Sequence, residues 1–437
     1  MERLKNSARS SFGGKDPEVT VQPDTTRPEV QPGSDDPPSL PAQGLRAWRA
    51  LPRLVWLLGL ASLLNDVSSE AIFPLLPIFL TQTLHATGSI VGLVDGFAQA
   101  LQNVVQGFSG TLSDKLQRRK PIALAGYFLS AIAKPFMGLA TVWQVVFGAR
   151  LLDRLGAGVR SAPRDALIAA SVDERNRGRA FGLEGLGDNA GAFLGPLVAL
   201  FLLYAFQIGL RWVFYLAVIP GLIAFCMVLF VDEPRTAAAE RAKVDIRLQH
   251  FPLAYWKFLI VIALFGLGNS SNAFLILRTQ DIDASLQETI LIYAGFNLVA
   301  AVISYPAGWL FDHFGGRNVL LGAYVIFLIA YLGFGLTQNI ALIAALFFSY
   351  GLYQGIFRTA GKGLAASFVP ERLRASGIGW FNTTVGILQL AASLIAGVLW
   401  DRVGHAAVFY YGAFFAAVGV AALLVLMPAR VGSRDRS

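Results

Sequence analysis

The sequence predicts an all-α membrane protein: twelve transmembrane helices in two six-helix halves, related by a pseudo-two-fold axis along the membrane normal. Three observations carry that prediction. The first is composition. The chain has 437 residues, of which 55% are hydrophobic and 15% charged, and a mean hydropathy of +0.55. That is more apolar surface than a water-soluble globule of this length can bury. The second is spacing: twelve apolar stretches of roughly 18 to 28 residues follow one another, each long enough to cross a hydrocarbon core as helix. The third is repetition. The polar stretch Gly110-Thr-Leu-Ser-Asp114-Lys-Leu-Gln-Arg118-Arg119 returns about 200 residues later as Gly308-Trp-Leu-Phe-Asp312-His-Phe-Gly-Gly-Arg317, again between apolar stretches.

Residues 1–45 are dominated by Pro, Asp, Thr, Ser and Gln and contain no apolar run, which predicts a disordered tail and no cleaved leader. A first bundle at 46–231 holds spans 1 to 6, at about 53–81, 88–112, 121–140, 143–162, 180–206 and 211–231. A charged linker at 232–255 leads to a second bundle at 256–429. Its spans 7 to 12 lie at about 256–278, 286–311, 319–336, 340–361, 376–400 and 404–428, and a short tail at 430–437 follows. Lysine and arginine concentrate before span 1, in alternate loops, in the linker and after span 12, whereas the other loops offer little beyond Arg211, Arg278 and Arg402. That bias predicts cytoplasmic termini and a cytoplasmic linker in a multi-pass protein of the plasma or inner membrane.

The same residues narrow the function classes. A net charge of +8 sits in short loops, not on one continuous face, which argues against a nucleic-acid partner. The single cysteine, Cys226, lies in an apolar span, so no disulfide framework or cysteine metal site is expected. His85, His250, His313 and His405 are scattered without metal-ligand spacing. There is no Gly-x4-Gly-Lys-Ser/Thr loop and no Ser-His-Asp arrangement on one face. No cofactor, no metal and no enzymatic activity are expected, and the chain is expected to act as a monomer.

Charged side chains inside the spans cost about 2.5–3.5 kcal/mol each on insertion scales, so each needs a partner, a wet cavity or a task. Asp66 and Glu70 in span 1 are four apart on one helical face, just before Pro74 and Pro77. They either bind a cation or exchange protons, or are held neutral by a basic neighbour. Span 4 carries Arg150, Asp153 and Arg154 beside Gly156 and Gly158, as an ion pair or a coupling element. In span 5, Glu184 and Asp188 are again four apart. Asp95 in span 2 and Lys134 in span 3 are lone charges that either pair with each other or act separately. The second half is polar but sparsely charged: Asn269 and Asn272 in span 7, Asn297 in span 8, Arg358 in span 10, Asn382 and Gln389 in span 11. Amides orient a substrate without titrating, so the first half is expected to couple protons and the second to shape the cavity.

The stretch from Gly110 to Arg119 resembles the signature loop of the major facilitator superfamily, Gly-x-Leu-Ala-Asp-Arg-x-Gly-Arg-Lys. Gly110, Leu112, Asp114, Lys115, Arg118 and Arg119 fit, while Gln117 replaces the usual glycine. The resemblance covers about residues 50–430. It implies that Gly110, Asp114, Arg118 and Arg119, with Asp312 and Arg317 in the second copy, form a gate latch in which the arginines meet acidic partners across the half interface. Arg154 and Gly158 are similar to a span-4 motif whose arginine is associated in the family with proton transfer. Gly182, Gly191, Gly195 and Pro196 follow the glycine-proline pattern of the family's antiporter branch, although Ala199-Leu200 replaces its closing glycine pair. The resemblance therefore implies alternating-access transport of a small organic solute, most simply proton-coupled export. Proton-coupled uptake or uniport of a nutrient is the second reading, and a membrane enzyme or transporter-like sensor the third.

Overall fold

The computed structural model describes residues 51–116, 118–233, 251–370 and 373–427, with the side chains of 110–116, 174, 175, 178 and 375 set aside. The expected tails at 1–45 and 430–437, and most of the expected linker, lie outside the described residues. All regular structure among the described residues is helical. Six spans precede residue 233 and six follow residue 251.

Eight spans are single helices long and apolar enough to cross a membrane by length and composition, with span 6 counted across a one-residue break. They are spans 3, 5, 6 and 8 to 12. The four that do not qualify are spans 1, 2, 4 and 7, because they are charged or interrupted. Span 2 (Gly88–Leu116) carries Asp95, and span 4 (Trp143–Ala170) carries four arginines at 150, 154, 160 and 164.

Spans 1 and 7 are broken where the sequence predicts continuous helix. Span 1 runs as Arg53–Glu70, then a turn, then Leu76–Ile78 and a wide π turn at Phe79–Thr83. Pro74 and Pro77 remove two backbone donors and are sufficient cause. Span 7 runs as Leu253–Gly266 and Ala273–Asp281, with 267–272 non-helical between them. There, Ser271 N–H donates to Ser393 Oγ at 3.0 Å, and Ser271 Oγ accepts from Ala273 N–H at 3.0 Å. Irregular backbone at membrane depth survives only with such internal partners. Span 6 breaks at Ala217, between Leu210–Leu216 and Val218–Leu229, and Ser68 Oγ donates to the Ala217 carbonyl.

Packing repeats between the halves. Spans 1–5, 2–4, 3–4, 1–6 and 3–6 pair in the first half, and 7–11, 8–10, 9–10, 7–12 and 9–12 in the second. Between the halves, span 2 packs on span 11 and span 5 on span 8, contacts that the same two-fold interchanges. Helix ends are set locally. Ser285 and Glu288 form a capping box at span 8, Leu286–Phe314. Gly315, at φ 79°, turns the chain into span 9, Gly316–Leu336.

The interiors of the halves differ. The second is filled with rings: Phe265 lies parallel on Tyr324, with centroids 3.9 Å apart, and Phe327 stacks on Tyr331 at 3.9 Å. Tyr350, Tyr353, Phe334 and Phe409 continue this cluster. The first half buries charge instead.

Candidate functional site

The deepest charges surround Arg150, whose side chain is only 1% exposed. Its Nη2 donates to Asp95 Oδ1 at 2.9 Å and its Nη1 to Asp153 Oδ2 at 3.2 Å. Asp153 is shared further: Arg154 Nε lies 3.2 Å from Oδ2, Lys134 Nζ lies 3.7 Å from Oδ1, and Ser130 Oγ donates to Oδ1 at 2.5 Å. Three cations thus hold two carboxylates. Asp95 and Lys134 do not pair with each other, as one reading of the sequence had it. Asp95 belongs to Arg150, and Lys134 to Asp153 and the carbonyl of Ser130, at 3.1 Å. The guanidinium of Arg154 also reaches Gln102 Oε1 at 3.2 Å. A partner-stripped ion in this network costs several kcal/mol, which explains why each charge keeps more than one contact.

A second network lies nearer the end of the bundle that bears the span 2–3 and 4–5 loops, here called the basic end. Arg164 sits among Glu184, Asp188 Oδ1 at 3.4 Å and Asp165 Oδ1 at 3.1 Å, and donates to Ser62 Oγ at 2.7 Å. Arg160 reaches Asp66 Oδ1 at 3.5 Å and lies over the Tyr127 ring, 5.0 Å from its centroid. Exposure separates the carboxylates: Asp66 and Asp188 are 25% and 36% exposed, against 3% for Asp153. The first two are partly open at their surface and the last is enclosed.

The second half contributes uncharged donors and acceptors. Tyr350 OH donates to Asn272 Oδ1 at 2.9 Å, and Asn269 Nδ2 to Tyr353 OH at 3.1 Å. Asn272 Nδ2 also lies 3.4 Å from Gln354 Oε1. Gln389 lends its backbone carbonyl to Ser393 Oγ at 2.6 Å, and its side chain is half-buried. Arg358 is exposed on span 10.

Several bonds join the halves. Tyr293 OH donates to Glu70 Oε2 at 2.9 Å, Asn297 Nδ2 to the Ala192 carbonyl at 2.9 Å, and Ser271 Oγ to Asp95 Oδ2 at 2.5 Å. Gln82 Nε2 meets Gln280 Oε1 at 3.1 Å, and Asp401 receives Gly88 N–H and Ser89 N–H at 2.7 and 2.8 Å. These bonds run from the middle of the bundle to the end opposite the basic one. Towards the basic end the interface opens. A Cβ added at Gly96 would lie 2.8 Å from Ser393 Cβ, whereas one at Gly107 has only Thr383 Oγ1 near it, at 3.9 Å. Gly182, Gly185 and Gly308 face open space, and Tyr305 is 89% exposed. The structure is closed at the opposite end and open at the basic end.

The described residues cover only part of the expected latch. The side-chain surroundings of Gly110 and Asp114 lie outside the described residues. Arg118 is exposed. Arg119 N–H donates to Glu233 Oε1 at 2.6 Å and its guanidinium to the Ala166 carbonyl at 3.3 Å, both in its own half. In the second copy, Asp312 is exposed, and Arg317 Nε donates to the Met427 carbonyl at 2.9 Å.

The glycines of span 5 are placed more sharply than their pattern implies. A Cβ at Gly191 would lie 2.6 Å from the Leu63 carbonyl, and one at Gly195 2.8 Å from Ala71 N, so both face span 1 within the same half. Gly182 meets nothing within 4 Å. Pro196 sits inside a helix that continues through it, Glu174–Ala205.

Sequence reasoning assigned no role to Arg160, Arg164, Tyr293, Ser271, Tyr350 or Gln354. A signal existed for the first two: Arg160 and Arg164 repeat the four-residue step of Arg150 and Arg154, and match the step of Glu184 and Asp188.

Comparison with known proteins agrees with this architecture. The family model described as Major Facilitator Superfamily matches residues 58–276 and 258–437. An uncharacterized MFS-type transporter, MJ1317 of Methanocaldococcus jannaschii, is 33% identical over 86% of this chain and 96% of its own. A protein named Multidrug resistance protein MdtG, from Citrobacter koseri, is 26% identical over 83% of this chain and 91% of its own. Among solved structures, a D323A mutant of the nucleoside transporter NupG superposes with a TM-score of 0.74 at 15% identity, over 86% of this chain and all of that one. The paired broken helices, the half-to-half contacts and these matches agree: the chain belongs to the Major Facilitator Superfamily and is a multi-pass membrane transporter, not an enzyme.

Proposed function

We propose that this transporter exports a small organic molecule in exchange for protons. We place it as a monomer in the plasma or inner membrane, with the basic end and both termini in the cytoplasm. The observation that carries the reading is the charge count beside the open cleft. Among the described residues, Asp66, Asp165, Glu184 and Asp188 all lie within ion-pair distance of two guanidiniums, Arg160 and Arg164, four carboxylates against two cations in contact. A surplus carboxylate at membrane depth is favoured when it carries a proton, and Asp66 and Asp188 are partly open at their surface, where one can arrive. Glu70, bonded to Tyr293 of the other half, links protonation to the half interface. Arg150, Asp153 and Arg154 form the fixed charge behind these groups. Asn269, Asn272, Asn297, Arg358 and Gln389 line the substrate side. The Asp114 and Asp312 loops close the basic end in the alternate conformation. The relatives named Multidrug resistance proteins support an organic solute as cargo.

The test is substrate-induced proton movement in proteoliposomes, with a pH dye inside and cationic, anionic and neutral compounds outside. Proton flux opposite to substrate, abolished by Asp66→Asn or Asp188→Asn, is expected. Flux in the same direction as substrate overturns export in favour of uptake, and transport retained when both carboxylates are neutralised overturns their role.

A further inference from the structure

The spacing Gly-x3-Asp-x2-Gly of the second basic loop, Gly308, Asp312 and Gly315, occurs a second time where no basic loop is expected. Gly397, Asp401 and Gly404 have it, at the end of span 11 (Arg374–Arg402) on the side of the bundle opposite the basic end. The backbones agree as well: Gly404 has φ 131° and Gly315 φ 79°, both in the region that favours glycine. Here the conformation shows what the aspartate does. Asp401 Oδ1 accepts Gly88 N–H at 2.7 Å, and Oδ2 accepts Ser89 N–H at 2.8 Å and Ser89 Oγ–H at 2.5 Å. A carboxylate of the second half thus caps the first turn of span 2 in the first half.

Two further facts make this contact specific to closure. Asp401 lies in the last turn of its own helix, where the helix dipole disfavours an anion. Here the N-terminus of span 2, docked against it, offsets that cost. The surfaces are also cut to fit: a Cβ at Gly397 would lie 2.6 Å from Ser89 Cα, and one at Gly88 2.9 Å from Asp401 Oδ1. Beside this contact, Trp400 stacks on His405, centroids 4.1 Å apart, and His405 pairs with Asp281 of span 7.

We propose that Asp401 is the lock of this end: its carboxylate, seated on the first turn of span 2, holds the halves together there and must release for the transporter to open on that side. The proposal stands whether or not protons drive transport. Removing the charge lowers the stability of the closed end and leaves the opposite conformation untouched, because Asp401 then faces water.

The test is a distance measurement by electron spin resonance on the full chain in lipid nanodiscs. Nitroxides are placed at Thr83→Cys and Gln287→Cys, exposed sites of the first and second halves at this end, in a Cys226→Ser background. Asp401→Asn is expected to raise the ratio of long to short distances about tenfold. Gly397→Val, which acts by shape alone, shifts it in the same direction, and Arg402→Gln, one residue away, leaves it unchanged. If Asp401→Asn does not fold, Ser89→Ala, which removes only the hydroxyl bond, carries the test with a smaller shift. An unchanged ratio in the Asp401 or Ser89 variant overturns the proposal, as does an equal shift in Arg402→Gln.

Discussion

The pairing of Asp95 with Arg150 ties span 2 to span 4 and, through Ser271, the first half to the second. Its strength can be worked out. With Nη2 and Oδ1 2.9 Å apart, the charge centres lie about 4 Å apart, worth about 4 kcal/mol at an effective dielectric near 20. That term belongs to the pair alone, because Coulomb attraction is pairwise and the contact of Arg150 with Asp153 adds a second term without reducing the first. The perturbation is Asp95→Leu and Arg150→Met, singly and together. Each single change leaves a buried ion short of a partner and is expected to cost about 3–5 kcal/mol. The double change removes both ions and is expected to cost about 4 kcal/mol less than the sum. Equilibrium unfolding in mixed micelles, followed by tryptophan fluorescence, reads all four proteins. A coupling below about 0.5 kcal/mol, the range of independent sites, would refute the reasoning and make Asp153 the sole partner that matters.

Other changes follow from the same geometry. Gly191→Val and Gly195→Leu push span 5 off span 1 and are expected to lower stability by about 1–3 kcal/mol, whereas Gly182→Ala, facing open space, is tolerated. Thermal unfolding in detergent distinguishes them, and equal losses at all three sites would contradict the packing described. Ser285→Ala breaks the capping box of span 8 and is expected to cost about 1 kcal/mol. Ser304→Ala in the same span, where the hydroxyl only back-bonds to Ala300 at 2.7 Å, serves as the control and costs less.

The spans were legible because hydropathy reports the solvent each segment meets, and the two halves because the Asp114 loop recurs at Asp312. The carboxylate pairs at 66 and 70 and at 184 and 188 were legible because a four-residue step places side chains on one helical face. Their partners were not, since the rotation of one helix against another leaves no mark along a single chain. Asp95 therefore looked solitary although Arg150 is 2.9 Å away. The break in span 1 was half visible in Pro74 and Pro77. That in span 7 was hidden, because Gly268-Asn-Ser-Ser-Asn272 adds polarity without a proline and its partner Ser393 is over a hundred residues away. A latch that closes in only one access state is a different matter: a sequence encodes both states, and one structure shows one of them.

The ring-filled interior of the second half has a mechanical consequence. Stacked rings such as Phe265 on Tyr324 and Phe327 on Tyr331 hold each other by many weak contacts that all fail together or not at all. Such a body moves as a block and absorbs little strain. The first half, knit by guanidinium forks that can exchange one carboxylate for another, can change its internal pairing without losing its outline. In machine terms the second half is the stator. On the proposed mechanism the pairings that change are those of Arg160 and Arg164, and a damaged ring stack would show as lost rigidity before it showed as lost specificity.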